Sequence, residues 1–275
     1  MKSKIGRSLS LLGLSLLSYP VALQIGWSAV MAAPIKLRLP PPPQRGIAGS
    51  RAAAASRDTC PIVAQPLTAI VPEYRSAQEN QVWGLTRMEH PTFWFYVPYA
   101  KPALVDISFT LQDDSNPADP KIIYQNSTIT PAPTAGMIRI ALPKSSTTLA
   151  VDKPYHWFLK LNMGCTSGQR PIFVQGWIQR MELDRNLSKQ IDRASSAEKV
   201  ALYAENGLWH DAFTTLANLR ATKPQDLGLN QDWRNLLEAI GLGDLANQPL
   251  SANPQVDSPE KTLRERVQQL RSAGF

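Results

Sequence analysis

"LVDISFTL", residues 104–111, alternates apolar and polar side chains from Val105 on: Val105, Ile107, Phe109 and Leu111 face one way, Asp106, Ser108 and Thr110 the other. A period of two marks an extended strand with one face in a core and one in water. The same alternation recurs on both sides. "DDSNPADP" follows as a polar turn, then "KIIYQ", "MIRIAL" and "YHWFLKLNM", the last placing Tyr155, Trp157, Leu159, Leu161 and Met163 inward and His156, Lys160 and Asn162 outward. "PIFVQGWIQRMEL" closes the set. Roughly eight short strands punctuated by Pro, Gly, Asn and Asp predict an antiparallel β-sandwich of the immunoglobulin or fibronectin kind over residues 60–183. In "LAVDKPYHW", Leu149 precedes Tyr155 across a turn, the spacing of a tyrosine corner, in which the hydroxyl caps the preceding crossover.

Upstream, "HPTFWFYVPY" (90–99) carries five aromatic rings in a chain that is 8% aromatic. As a strand it turns Phe93, Phe95 and Val97 to one face and Trp94 and Tyr96 to the other. One face fills the sandwich. Cover of the other face by helices, through Trp209, Phe213 and Trp233, is the low-energy expectation; a platform for a sugar or peptide and a membrane contact are the alternatives, and Trp177 in the last strand raises the same question with the same expected cover. Trp94, Tyr96 and Trp177 are therefore the candidate ligand-binding residues.

After 183 the period becomes helical. Ser195 and Glu198 form a capping box ahead of "AEKVALYAE", and Asn206-Gly207 ends that helix. "LWHDAFTTLANLRA" makes a second helix, stopped before Pro224. Asn230 is expected to cap "QDWRNLLEAI", with Trp233, Leu236, Leu237 and Ile240 on one face and Gly241 past the end. The run Tyr203, Gly207, Trp209, Ala212, Leu216, Leu219, Pro224 has the offsets of one tetratricopeptide unit, but an array needs about three, so a small helical cap on the sandwich is the expectation. Over 250–275 a linker leads to an amphipathic helix capped at Ser258.

The N-terminus reads "MKSKIGR", then an uncharged apolar run ending in "VMAAP", which is the pattern of a signal peptide over 1–32 cut after Ala32; retention as an anchor is the alternative. Residues 33–59 follow as a Pro/Ala-rich disordered linker. Formal net charge is +7, but it falls to about +4 without Lys2, Lys4 and Arg7, and much of the remainder sits in the linker at Lys36, Arg38, Arg45, Arg51 and Arg57. The folded part is near neutral, which argues against nucleic acid as a partner. Cys60 and Cys165 are the two cysteines; a lone pair in an exported chain reads as one disulfide, closing a loop of about 105 residues. A reactive or metal-binding pair is the alternative.

"CPIVAQPLTAIVP", "LTRMEHPTFWFYVPY", "FTLQDD", "LPKSSTTLAVDKPYHWFLKL", "VQGWIQR" and "YAENGLWHDAFTTLANLR" followed by "WRNLLEAIGL" occur in this order. Together, from Cys60 to Pro249, they resemble the uncharacterised exported proteins, chiefly cyanobacterial, grouped as domain of unknown function 928. The resemblance implies an extracytoplasmic location and one unit made of both β and helical parts. It implies no activity and transfers no catalytic residue.

The three histidines, His90, His156 and His210, have no metal-pair spacing, and no GxSxG, HExxH, GxGxxG or P-loop pattern occurs. No cofactor or metal is expected. Asp113, Asp114, Asn116 and Asp119 offer calcium-type oxygens, but without the spacing of a helical calcium loop, and a hairpin turn favours the same residues. The chain thus reads as α+β: sandwich, helical cap over 184–249, periplasmic or extracellular. The function expected is a non-enzymatic binding or adaptor module for an envelope protein or polysaccharide, touching membrane only through an uncleaved signal segment. A hydrolase or carbohydrate-active enzyme using Glu89 and His90, or a carboxylate pair near the aromatic strand, is the alternative, and a structural envelope component is a third.

Overall fold

The computed structural model describes residues 35–42, 49–53, 61–76, 80–165 and 172–251. The signal segment, Cys60 and the Ser258-capped helix lie outside them. Among the described residues the chain is α+β, with nine strands in two mostly antiparallel sheets and four α-helices. The smaller sheet has the order β1 (Thr68–Ala69), β4 (Thr92–Val97), β7 (Gly136–Ala141). The larger runs β2 (Glu73–Arg75), β3 (Asn80–Thr86), β9 (Ile172–Arg180), β8 (Pro154–Met163), β5 (Leu104–Asp113), β6 (Lys121–Ile129). Its one parallel pairing joins β3 to β9, with Trp83 opposite Trp177.

Alternation builds the core. Phe109 and Leu111 of β5, and Tyr155, Trp157, Leu159 and Leu161 of β8, are buried, and their rings meet those of β4: Phe93 lies 4.8 Å from Phe109 and Phe95 5.5 Å from Trp157, centroid to centroid. Apolar burial at about 25 cal/mol per Å², with offset or edge contacts between rings, makes this aromatic seam the main bond between the sheets. β5 departs from its expected phase at its start. The pairing with β8 shifts between Leu104 and Asp106, so Leu104 is fully buried and Val105 is 54% exposed. One extra residue at a bulge inverts the alternation on its N-terminal side. At the start of β8 the Tyr155 hydroxyl accepts the backbone N–H of Ala150 at 3.0 Å, so the tyrosine does cap the preceding crossover.

The helices are α1 (Arg185–Arg193), α2 (Ser196–Glu205), α3 (Trp209–Thr222) and α4 (Leu227–Ala239). The Ser195–Glu198 capping box is present, and Gly207, at φ +75°, takes the left-handed conformation that ends α2. α1 is additional to the expected elements; the Asp184 carboxylate caps it by accepting the N–H groups of Asn186 and Leu187. α4 begins earlier than expected. Asp226, not Asn230, is its N-cap, accepting the Leu229 N–H, which leaves the Asn230 amide free to bind Arg220 and the Pro224 carbonyl instead. Among the described residues no helix is long and apolar enough to cross a membrane.

The segment expected to be a disordered linker is held on the body where it is described. Arg38 N–H donates to the Ala204 carbonyl, the Tyr74 hydroxyl donates to the Pro40 carbonyl, and Ser50 and Ala52 bridge to Gln175 and Thr68. Arg51, 8% exposed, donates to the Ile240 carbonyl at 2.6 Å and lies 3.5 Å from Glu73. Proline-rich backbone cannot satisfy itself, so it borrows partners from the elements it crosses.

Candidate functional site

Alternation in the larger sheet fixes what its outer face presents. Opposite the buried Tyr155, Trp157 and Leu159, β8 turns out His156, Phe158 and Lys160; opposite Val174 and Ile178, β9 turns out Phe173, Gln175 and Trp177. Cross-strand register aligns Ile122, Gln112, His156 and Trp177 in one row, and Phe158 with Gln175 in the next. His156 stacks on Trp177 at 4.3 Å with the rings 10° from parallel, and Phe158 lies 4.0 Å from the same imidazole. Phe173 is 44% exposed and Ile122 60% exposed. Aromatic rings interleaved with amides and hydroxyls are a surface that stacks on flat, hydroxylated ligands.

The loop after β5 holds this face in place. Asp114 Oδ2 lies 2.8 Å from His156 Nδ1, and its other oxygen accepts from Gln112. Burial pulls the His156 pKa down, against Asp114 and Gln175, which favour the charged ring. Asp113 pairs with Lys153 at 2.5 Å and accepts from Ser115; although burial opposes ionisation, these partners hold its carboxyl down at about 2. Asn116 accepts the Ala118 N–H, and Asp119 closes the turn onto the Asn116 carbonyl. Asp113, Asp114 and Asn116 thus have side-chain oxygens engaged, by Lys153 and Ser115, by His156 and Gln112, and by the Ala118 N–H, while Asp119 joins the turn through its backbone N–H. Among the described residues no group of three or more His, Cys, Asp or Glu is placed to hold a metal ion.

Trp94 and Tyr96 are elsewhere. They are 7% and 6% exposed, on the face of the smaller sheet away from the aromatic seam. α3 covers Trp94: its indole N–H donates to Thr214 Oγ1 at 3.0 Å, and its ring meets Phe213 edge-on at 5.6 Å. Trp209 Nε1 donates to the Ile70 carbonyl and fastens the start of the same helix. Of the three aromatic candidates, only Trp177 lies on a partly open face, and it joins neither of the others. Phe158 and Phe173, its neighbours there, were legible as outward positions of the same alternation.

A second arrangement lies beside Trp94. A cavity of about 190 Å³ between β3, β4 and the helices is lined by His90, Tyr203, His210, Asp211 and several threonines. Asp211 Oδ2 accepts the Arg87 N–H at 3.1 Å while Oδ1 is buried without a partner, and burial pushes this carboxyl up to about 6. His210 is pushed down to about 4 by burial, with Nδ1 at the Thr92 carbonyl and its ring against Phe93. His90 approaches the Ser146 carbonyl, and Glu89 pairs with Arg180 at 3.0 Å, so that adjacent pair is split between different partners. Asp211 had no distinguishing signal in the sequence beyond following a histidine on a helix. Cys165, after β8, is not a free thiol.

The family model described as Domain of Unknown Function (DUF928) matches residues 52–250, which include every strand and helix above. The chain belongs to the DUF928 family. The match begins at Ala52, beside the buried Arg51, and so takes in the end of the segment that had read as linker. No curated protein matches this DUF928 chain.

Proposed function

We propose that this DUF928 protein is a non-enzymatic, exported binding module of the cell envelope that takes polysaccharide on the outer face of its larger sheet. The row of Trp177 and His156, with Phe158 and the exposed Phe173 beside it, carries the reading: apolar rings at a partly open sheet surface, flanked by Gln112, Gln175 and Thr110. Leaving such rings toward water forfeits burial free energy unless a ligand covers them. In this reading the two sheets form a sandwich of immunoglobulin-like character, the helices are its cap, and residues 1–32 direct export and are removed. A Cys60–Cys165 disulfide then ties the start of the β region to the end of β8, a constraint the chain-entropy model values at about 4–5 kcal/mol. Intact mass before and after reduction tests that bridge, which requires a gain of two hydrogens on reduction.

The functional test is retention of the chain on isolated envelope polysaccharide. Phe173→Ala, at an exposed ring, is expected to weaken retention severalfold at an unchanged melting temperature, and Trp177→Ala, which also loses the stack on His156, to abolish retention while still folded. Undiminished retention overturns the proposal.

An enzymatic reading has one observation in its favour, the cavity that brings Asp211, His210 and His90 together beside Trp94. Turnover of an envelope glycan lost in Asp211→Asn would replace the binding reading with it.

A further inference from the structure

We propose that the concavity between α3 and α4 is a second binding site, for a sugar carrying a carboxylate, with Arg220 as its anchor. The cavity measures about 780 Å³ and lies between these helices and the chain after Ala246. It is within the range of roughly 300–1,000 Å³ that small-ligand sites occupy.

Arg220 is already positioned. Its Nε donates to Asn230 Oδ1 at 2.9 Å, and the Asn230 amide is fixed in turn by donating to the Pro224 carbonyl at 3.0 Å. The guanidinium carbon sits 4.5 Å above the Trp233 ring, itself fully buried and pinned by its N–H to the Ala246 carbonyl. A guanidinium held flat on an indole with Nε committed offers its two terminal nitrogens as a preformed edge for a carboxylate. Arg234 lines the same cavity, and no Asp or Glu does. Among the described residues no carboxylate pairs with either arginine. Burial first, and then the Arg234 charge, hold the Arg220 pKa below its ordinary value. Gln231 and Gln248 supply amides for hydroxyls, and Leu227, 84% exposed, gives an apolar rim for a ring face. The guanidiniums select the acid and the amides and rim select a sugar as its bearer.

The site is separate from the outer face of the larger sheet, so either can fail alone. The test follows the indole N–H resonance of Trp233 in the full chain as trigalacturonate is added, against neutral trigalactose, inorganic phosphate and sodium chloride at matched ionic strength. Saturable shifts with trigalacturonate alone are expected. Arg220→Gln should weaken binding at least tenfold and the exposed Arg234→Gln severalfold, while Trp177→Ala leaves it unchanged. Should Arg220→Gln not fold, Arg220→Lys, which keeps the charge and loses the planar fork, is expected to show the same loss. A shift no larger than that with sodium chloride, equal binding of phosphate, or wild-type affinity in both arginine variants overturns the proposal.

Discussion

Trp94 and Thr214 are joined across the interface of sheet and helix, the indole N–H of β4 donating to the hydroxyl of α3 at 3.0 Å. The bond satisfies the one polar atom of a ring that is otherwise buried for its area, so the aromatic stretch of β4 serves cohesion on both faces. Trp94→Ala should therefore destabilise the chain by about 3–5 kcal/mol, and Thr214→Val by about 1 kcal/mol, in urea denaturation. Neither variant, assayed while folded, should lose polysaccharide retention.

Arg51 makes a comparable prediction for the N-terminal segment. Its guanidinium is buried against the Ile240 carbonyl and Glu73, and Glu73 keeps only the exposed Arg75 if Arg51 is lost. Arg51→Ala should cost about 3 kcal/mol, because truncation strands a partly buried carboxylate. A cost below about 0.5 kcal/mol, the range of ordinary surface substitutions, would return residues 49–53 to the status of a linker.

The sequence carried the strands of this fold further than its ends. Alternation in 155–163 placed His156 outward and Trp157 inward correctly, because the buried face of an antiparallel strand is written in every second residue. The same logic failed at Val105, where a bulge shifts phase without any Gly or Pro to announce it. Asn230 looked like a cap because Asn is a good one; Asp226 took the role a turn earlier, and nothing local ranks the two. Residues 33–59 looked disordered by composition, since the partners that hold Arg51 lie far away in the chain, at Glu73 and Ile240. For the site, Trp177 was legible as an aromatic on the outward phase. α3 covers Trp94 through Phe213, one of the expected covering residues, whereas Trp177, for which the same cover was expected, stays partly open; which sheet face α3 chooses is a tertiary fact with no local signal.

Asp211 and His210 make opposed contributions to pH dependence. With its folded pKa raised to about 6 from 3.8, Asp211 keeps a proton that the unfolded chain has released, so its contribution favours folding at acid pH and is lost as pH rises from 4 toward 6. His210, lowered to about 4 from 6.5, is neutral when folded and charged when unfolded, so its contribution is lost as pH falls across the same window. Each slope is about 1.4 kcal/mol per pH unit, and they cancel. Arg87 and Tyr203 face the same carboxyl. His210→Gln should therefore lose about 3 kcal/mol of stability between pH 4 and pH 6 relative to wild type, and Asp211→Asn should gain about as much. Parallel stability profiles for the three proteins would contradict the assignment.

The Tyr155 hydroxyl gives a smaller effect. Tyr155→Phe leaves the Ala150 N–H without its acceptor and should lower stability by about 1–2 kcal/mol, with the unfolding slope in urea unchanged.

The central claim is that the outer face of the larger sheet, and not the aromatic strand β4, is where ligand binds. Amide hydrogen exchange of the chain with and without envelope polysaccharide tests it directly. The account predicts new protection confined to β8, β9 and the loop around Asp114, with β4 and α3 unchanged; protection at β4 and α3 without change in β8 and β9 would contradict it.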